Sequence, residues 1–175
     1  MYWTEFTSLK VGWRMATRPK PHLLTPQGLD RLKQELNELR TAGRQRIAER
    51  LESAFADGQD DEFVDNAELE AARNEQSFLE GRILELEEIL GNYQLIEENG
   101  PHERVRVGDK ITVVEEDYDE EERYHLVGAA EADPAAGRIS NESPLGKALL
   151  GSKVGDVVRV NAPNGEINFR IAKIE

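Results

Sequence analysis

The sequence predicts an α+β protein in two parts: a long antiparallel helical hairpin, then a small, mostly antiparallel β domain with one short helix. Three observations lead there. Apolar residues recur at steps of three and four over two long stretches. An acidic, glycine-containing break separates those stretches. Beyond residue 100 the pattern changes to short β-branched runs bounded by turn signals.

The first helix opens at Thr25-Pro26-Gln27-Gly28, where threonine caps and proline suits the first turn. Leu29, Leu32, Leu36 and Leu39 form its stripe, which continues less strictly through Gly43, Ile47, Leu51 and Ala54 and ends near Asp57-Gly58. The second helix has a cleaner seam at Leu69, Ala72, Gln76, Leu79, Ile83, Leu86, Leu90 and Tyr93, with Gly91-Asn92 at its end. Two such helices joined by a short break pack antiparallel, because neither buries its stripe alone. Arms of roughly 28 residues make a hairpin on the order of 40 Å long.

The hairpin is expected over 23–96, with its tip at 57–66, and a linker at 97–101 leads to the second domain at 102–175. In that domain Val105, Val107, Ile111, Val113 and Val114 read as strand, with Tyr124 to Gly128 as its hairpin partner. The charge run EEDYDEEE (115–122) between them reads as a solvated turn. Ser143-Pro144 starts a short helix that Gly151 stops. Val157 to Val160 and Ile167 to Ile171 flank Pro163-Asn164-Gly165, a strong hairpin signal.

Composition narrows the function. Of 175 residues, 38% are hydrophobic and 33% charged, which suits long solvent-exposed helices. A net charge of -13 argues against a broad basic face for nucleic acid, while leaving room for a local basic patch. The absence of cysteine excludes disulfides, zinc-thiolate sites and thiol nucleophiles, and fits the reducing cytoplasm, the expected location. No segment approaches the roughly 20 apolar residues of a membrane span, so no membrane partner is expected. Residues 1–22 lack a secretory h-region and read as a disordered extension or a short docking tail.

The tip is the unusual feature, and from composition alone it reads either as a hydrophilic exposed loop or as a place that offers ligands to a metal. Between Arg50 and Arg73 there is no Lys or Arg, yet Glu52, Asp57, Asp60, Asp61, Glu62, Asp65, Glu68 and Glu70 all stand there. Crowded like charges are unfavourable unless a cation arrives, and Mg²⁺ takes a few carboxylate oxygens plus water. The spacing does not fit an autonomous calcium loop. Arg40, Arg44, Arg46 and Arg50 lie on the first helix below the tip; Arg44, Arg46 and Arg50 are candidates to contact a nucleic-acid backbone, or to pair with acids on the second helix. His22, His102 and His125 are scattered, and no nucleophile elbow, Walker loop or Rossmann fingerprint appears.

The chain resembles the Gre family of bacterial transcript-cleavage factors. Four blocks in order carry the resemblance: LTPQGLDRLKQEL (24–36), DNAELEAARNEQSFLEGRILELE (65–87), VGAAEAD (127–133) with ISNESPLGKALLG (139–151), and VGDVVRVNAPNGEINFRI (154–171). The resemblance implies a coiled-coil N-domain and an FKBP-like C-domain. It also implies a monomeric accessory factor rather than an enzyme. Its partners would be bacterial RNA polymerase and the nascent RNA and DNA of the elongation complex. The C-domain would dock at the polymerase secondary channel, with Ser143-Pro144 and the following helix as the candidate docking region; plain helix capping is the other role open to them. The coiled coil would enter the channel, and two tip acids would help hold a Mg²⁺ shared with polymerase. Cleavage of the 3′ end of backtracked RNA would follow.

Aligned on Asn66-Ala67-Glu68, the family pattern Gly-Asp-Leu-x-Glu-Asn-Ala-Glu puts Glu62 at its Asp and Asp65 at its Glu. Both acids are present with identities exchanged, and Asp61 stands where glycine is expected. Glu62 and Asp65 are thus the expected catalytic and metal-holding pair. The alternative is a Gre-homologue regulator, in which Asp60, Asp61, Glu62 and Asp65 form a chelating cluster that occupies the channel without promoting cleavage. A third reading, a proline isomerase or chaperone, follows from the FKBP-like C-domain; Tyr118, Tyr124 and Phe169 are the only aromatic residues there, which argues against an aromatic-lined proline pocket.

Overall fold

A computed structural model describes residues 19–57, 67–96, 103–116, 121–162 and 165–175. The order of elements is β1 (His22–Leu24), α1 (Pro26–Glu38), a π-helical turn (Leu39–Gly43), α2 (Arg44–Asp57), α3 (Ala67–Gly91), β2 (Tyr93–Leu95), β3 (Lys110–Glu115), β4 (Glu121–Val127), β5 (Arg138–Ser140), α4 (Pro144–Leu149), β6 (Val157–Ala162) and β7 (Gly165–Ile174). The α+β expectation holds. No helix among the described residues is long and apolar enough to cross a membrane.

Helix α1 starts as its sequence dictates. The Thr25 hydroxyl accepts from the Gly28 N–H at 2.9 Å, and Pro26 occupies the first helical position. The first arm is not one continuous α-helix, however. Its apolar positions Leu39, Gly43, Ile47 and Leu51 are spaced by four, and each such step advances the stripe by about 40° in a regular α-helix. The π-helical turn at Leu39–Gly43 takes up the surplus residue and returns the stripe to α3. Gly43 is buried there, and a Cβ on it would come within 2.8 Å of Leu79 Cδ1, so the helices approach closely at this point.

The hairpin core is concentrated at its base, where Leu24, Leu29, Leu32, Leu86 and Ile89 pack together with Leu36, Leu39 and Leu90 around them. Ile89, absent from the predicted seam, is 5% exposed. Gln76 and Tyr93 are exposed instead, because Gln76 turns to solvent and Tyr93 has left the helix for β2. Farther out, the buried apolar side chains are Ile47, Ala54, Ala72 and Ile83.

Strands β1 and β2 pair in parallel, His22 with Tyr93, Leu23 with Gln94 and Leu24 with Leu95. The chain entering the hairpin is thereby tied to the chain leaving it. The Leu24 carbonyl also accepts from the Ile96 N–H at 2.8 Å. Strand β1 begins at His22, inside the segment read as an N-terminal extension.

The second domain is a five-stranded sheet in the order β5-β4-β3-β7-β6, antiparallel except for the parallel pair β4–β5. Its core joins Val105, Ile111, Val113, Leu126, Leu149, Phe169 and Ile171. Val105 and Val107 are not strand, contrary to expectation. Gly108 at φ +106° and Asp109, whose carboxylate accepts from the Arg106 N–H at 2.7 Å, turn the chain before β3 begins. Val105 is still buried, tied through its backbone to Gly151 and Ser152. Residues 163–164 and 117–120, where turns are expected from the sequence, lie outside the described residues.

Candidate functional site

The tip acids Asp60, Asp61, Glu62 and Asp65 lie outside the described residues, as do residues 97–102, which include the linker expected at 97–101. The stem below the tip is described in detail. Arg50 bonds Glu68 through Nε at 2.8 Å and also reaches Glu75, so one α2 guanidinium holds two α3 carboxylates. Arg44 forks onto Glu80 with two bonds of 2.8 Å, and Arg40 reaches Glu87 at 2.6 Å. Arg82 on α3 forks back onto Glu35 at 2.7 and 3.1 Å.

These pairs set the charges along the arm. The Arg50 hydrogen bond holds the Glu68 carboxyl below its usual range, and Arg44 does the same for Glu80. Arg44 and Arg50, in turn, are engaged with α3 acids, and Arg46 is exposed on the same helix. Of the two roles read for the basic stretch, this structure displays the pairing one.

In the β domain, Ser143 caps α4. Its hydroxyl accepts from Gly146 N at 3.0 Å and donates to the Ser140 carbonyl at 2.7 Å, while Pro144 is exposed at the helix start. Leu150, Val154 and Val157, all at least 44% exposed, follow that helix. His125 sits on β4 with Nε2 3.0 Å from the Gly108 carbonyl. Of the three aromatic residues of the β domain, Phe169 is buried in the core and Tyr118 lies outside the described residues. Among the described residues no cluster of His, Asp or Glu with metal-ligand spacing occurs.

Sequence reasoning missed the junction between the domains. Glu131, 3% exposed, ends a helical turn at Ala129–Glu131 and crosses to the hairpin. Its Oε1 accepts from the Thr25 N–H at 2.6 Å and its Oε2 from the Thr25 hydroxyl at 2.8 Å. The available signal was a lone acid in the alanine-rich run Ala129-Ala130-Glu131-Ala132, where an apolar turn would otherwise be expected.

Comparison with known proteins decides the family. A model described as "Transcription elongation factor, N-terminal" matches residues 22–95. A second, "Transcription elongation factor, GreA/GreB, C-term", matches residues 100–175. The chain belongs to the GreA/GreB family of transcription elongation factors. This Gre factor is 46% identical over 161 residues to transcription elongation factor GreA of Acetivibrio thermocellus, covering 91% of this chain and 99% of the relative. It is 47% identical over 156 residues to GreA of Thermoanaerobacter pseudethanolicus, covering 89% and 98%. Among solved structures, GreA factor homolog 1 (Gfh1) of Thermus thermophilus is similar at 33% identity and a TM-score of 0.41, over 89% of this chain and 99% of that one.

Proposed function

We propose that this Gre factor acts on bacterial RNA polymerase, inserting its helical arm into the secondary channel and stimulating Mg²⁺-dependent cleavage of the 3′ end of backtracked RNA. The observation that carries this reading is the arm itself. Its stem acids Glu68, Glu75 and Glu80 are already paired with arginines, while no Lys or Arg stands between residues 51 and 72 to offset the tip acids.

The donor set at the tip suits Mg²⁺: Glu62 and Asp65 offer hard carboxylate oxygens, and a Mg²⁺ shell is usually completed by water and other ligands. When bound, the ion would polarise the phosphodiester and lower the pKa of an attacking water. Glu62 and Asp65 would help hold it and orient that water; polymerase would supply the rest of the centre. The exposed side chains after α4, with Ser143-Pro144 at its start, support that face as the docking surface. Arg46, with Arg44 and Arg50 when released from their partners, would meet the nucleic-acid backbone in the channel.

The test is cleavage of RNA in halted, backtracked elongation complexes. The wild-type chain is expected to shorten RNA from its 3′ end, and Glu62→Ala or Asp65→Ala to remove this while polymerase binding survives. Unchanged cleavage in both variants would refute the assignment of those residues. Slowed elongation without cleavage would favour the inhibitory alternative, which the extra aspartates Asp60 and Asp61 motivate.

A further inference from the structure

We infer that Glu131 is a positioning residue: it sets the angle at which the helical arm leaves the β domain, and so where the tip arrives. The inference rests on the proposed function for its consequence, but on geometry for its substance. Glu131 is a carboxylate from one domain buried at the helix start of the other. Both of its oxygens are used by a single residue, Thr25, whose hydroxyl already caps Gly28. Arg31, one turn into α1, donates to the Glu131 carbonyl at 3.2 Å and lies 3.9 Å from its carboxylate. The rim of the helix start is therefore gripped by several directional contacts, all converging on one residue of the other domain.

Two glycines show how closely the surfaces meet. A Cβ on Gly28 would lie 1.7 Å from Glu131 Oε2. A Cβ on Gly128 would lie 1.8 Å from the Leu23 carbonyl oxygen, a backbone atom of β1 that cannot rotate aside. The apolar part of the junction, Ala130 against the leucine cluster, is non-directional and tolerates sliding. Hydrogen bonds to a carboxylate do not tolerate it.

Leverage makes the angle matter. Over an arm on the order of 40 Å, a tilt of about 5° displaces the far end by about 3.5 Å. Catalytic groups must be placed within roughly 0.5 Å. The junction must therefore hold the arm far more tightly than a sliding apolar contact would.

The test uses the full chain, whose lack of cysteine allows paired spin labels through Ala48→Cys and Lys153→Cys. Glu131→Gln, which places an N–H₂ where one acceptor oxygen stood, and Gly128→Ala, which keeps the Glu131 carboxylate but wedges the turn that carries it against the Leu23 carbonyl, are each expected to broaden or shift the interdomain distance. Thr25→Ser, which keeps both donors, is expected to retain the wild-type distribution. With backtracked complexes, the first two variants should lower the maximal cleavage rate by about tenfold to a hundredfold, with a change of less than about threefold in the half-saturating factor concentration. Glu131→Gln with wild-type distances, or an effect confined to the half-saturating concentration, would overturn the inference. A wild-type chain that stimulates no cleavage would sink the proposed function instead, and the distance measurement alone would then decide the role of Glu131.

Discussion

The two halves of this Gre factor are held together by different physics. The β domain closes around a continuous apolar core in which Val113, Leu126, Leu149 and Ile171 are essentially sealed from water. The hairpin has such a core only at its base; its outer part combines a few small or β-branched side chains with exposed arginine–glutamate pairs. Burial contributes about 25 cal/mol per Å² of apolar surface, whereas exposed ion pairs contribute little and are screened by salt. The domain that would dock is thus built for stability, and the arm that would reach is built for solubility and shape.

The contrast can be broken most severely from the core side. Leu126→Ala or Ile171→Ala should cost about 2–5 kcal/mol in urea unfolding, since each removes a fully buried branched side chain. Leu86→Ala, at the hairpin base, should cost a similar amount, but amide exchange should show the loss in α1 and α3 rather than in the sheet. Ile83→Val, farther along the arm, should cost only about 0.5–1.5 kcal/mol.

The smallest effects belong to the ion pairs. Arg44→Ala should leave the melting temperature within experimental error, and 1 M salt should erase any difference that remains. Acid sharpens the same point. Glu68 and Glu80 have folded-state pKa values held below the usual 4.5 by Arg50 and Arg44. Their stabilisation is present above that value and is lost as pH falls through the lower folded one. A small loss of amide protection, corrected for the intrinsic pH dependence of exchange, below pH 4.5 and confined to α2 and α3 is the expected result; an equal loss of protection in β3, β4 and β7 would contradict it.

Much of the architecture was legible because it rests on local rules. Thr25 and Ser143 cap the helices their sequences announce, and β6 and β7 form the hairpin that Pro163-Asn164-Gly165 signals. What was hidden depends on partners distant in sequence. The parallel strands β1 and β2 are three residues each and join positions about 70 residues apart, so no local pattern marks them. Val105 and Val107 alternate like a strand, but the turn at Gly108-Asp109 intervenes. Glu131 looked like one acid among many until Thr25 was found 106 positions away. At the tip, the sequence supplies the acids Glu62 and Asp65 and their spacing; the role proposed for them would depend on a metal and a polymerase that no periodicity encodes.

The π-helical turn at Leu39–Gly43 bears on how such an arm changes over evolutionary time. A strict heptad seam can lengthen only in whole repeats, about 10 Å at a time, without rotating its apolar face away from its partner. A helix that takes up one surplus residue in a wide turn can instead gain or lose that residue while both flanking stretches of seam keep their place and the reach is unchanged. For an arm that, on the proposed function, would deliver a few carboxylates to a fixed point, such a turn lets single residues come and go without moving that point, and deletion of Thr41 with retained helicity and an unshifted seam would show it.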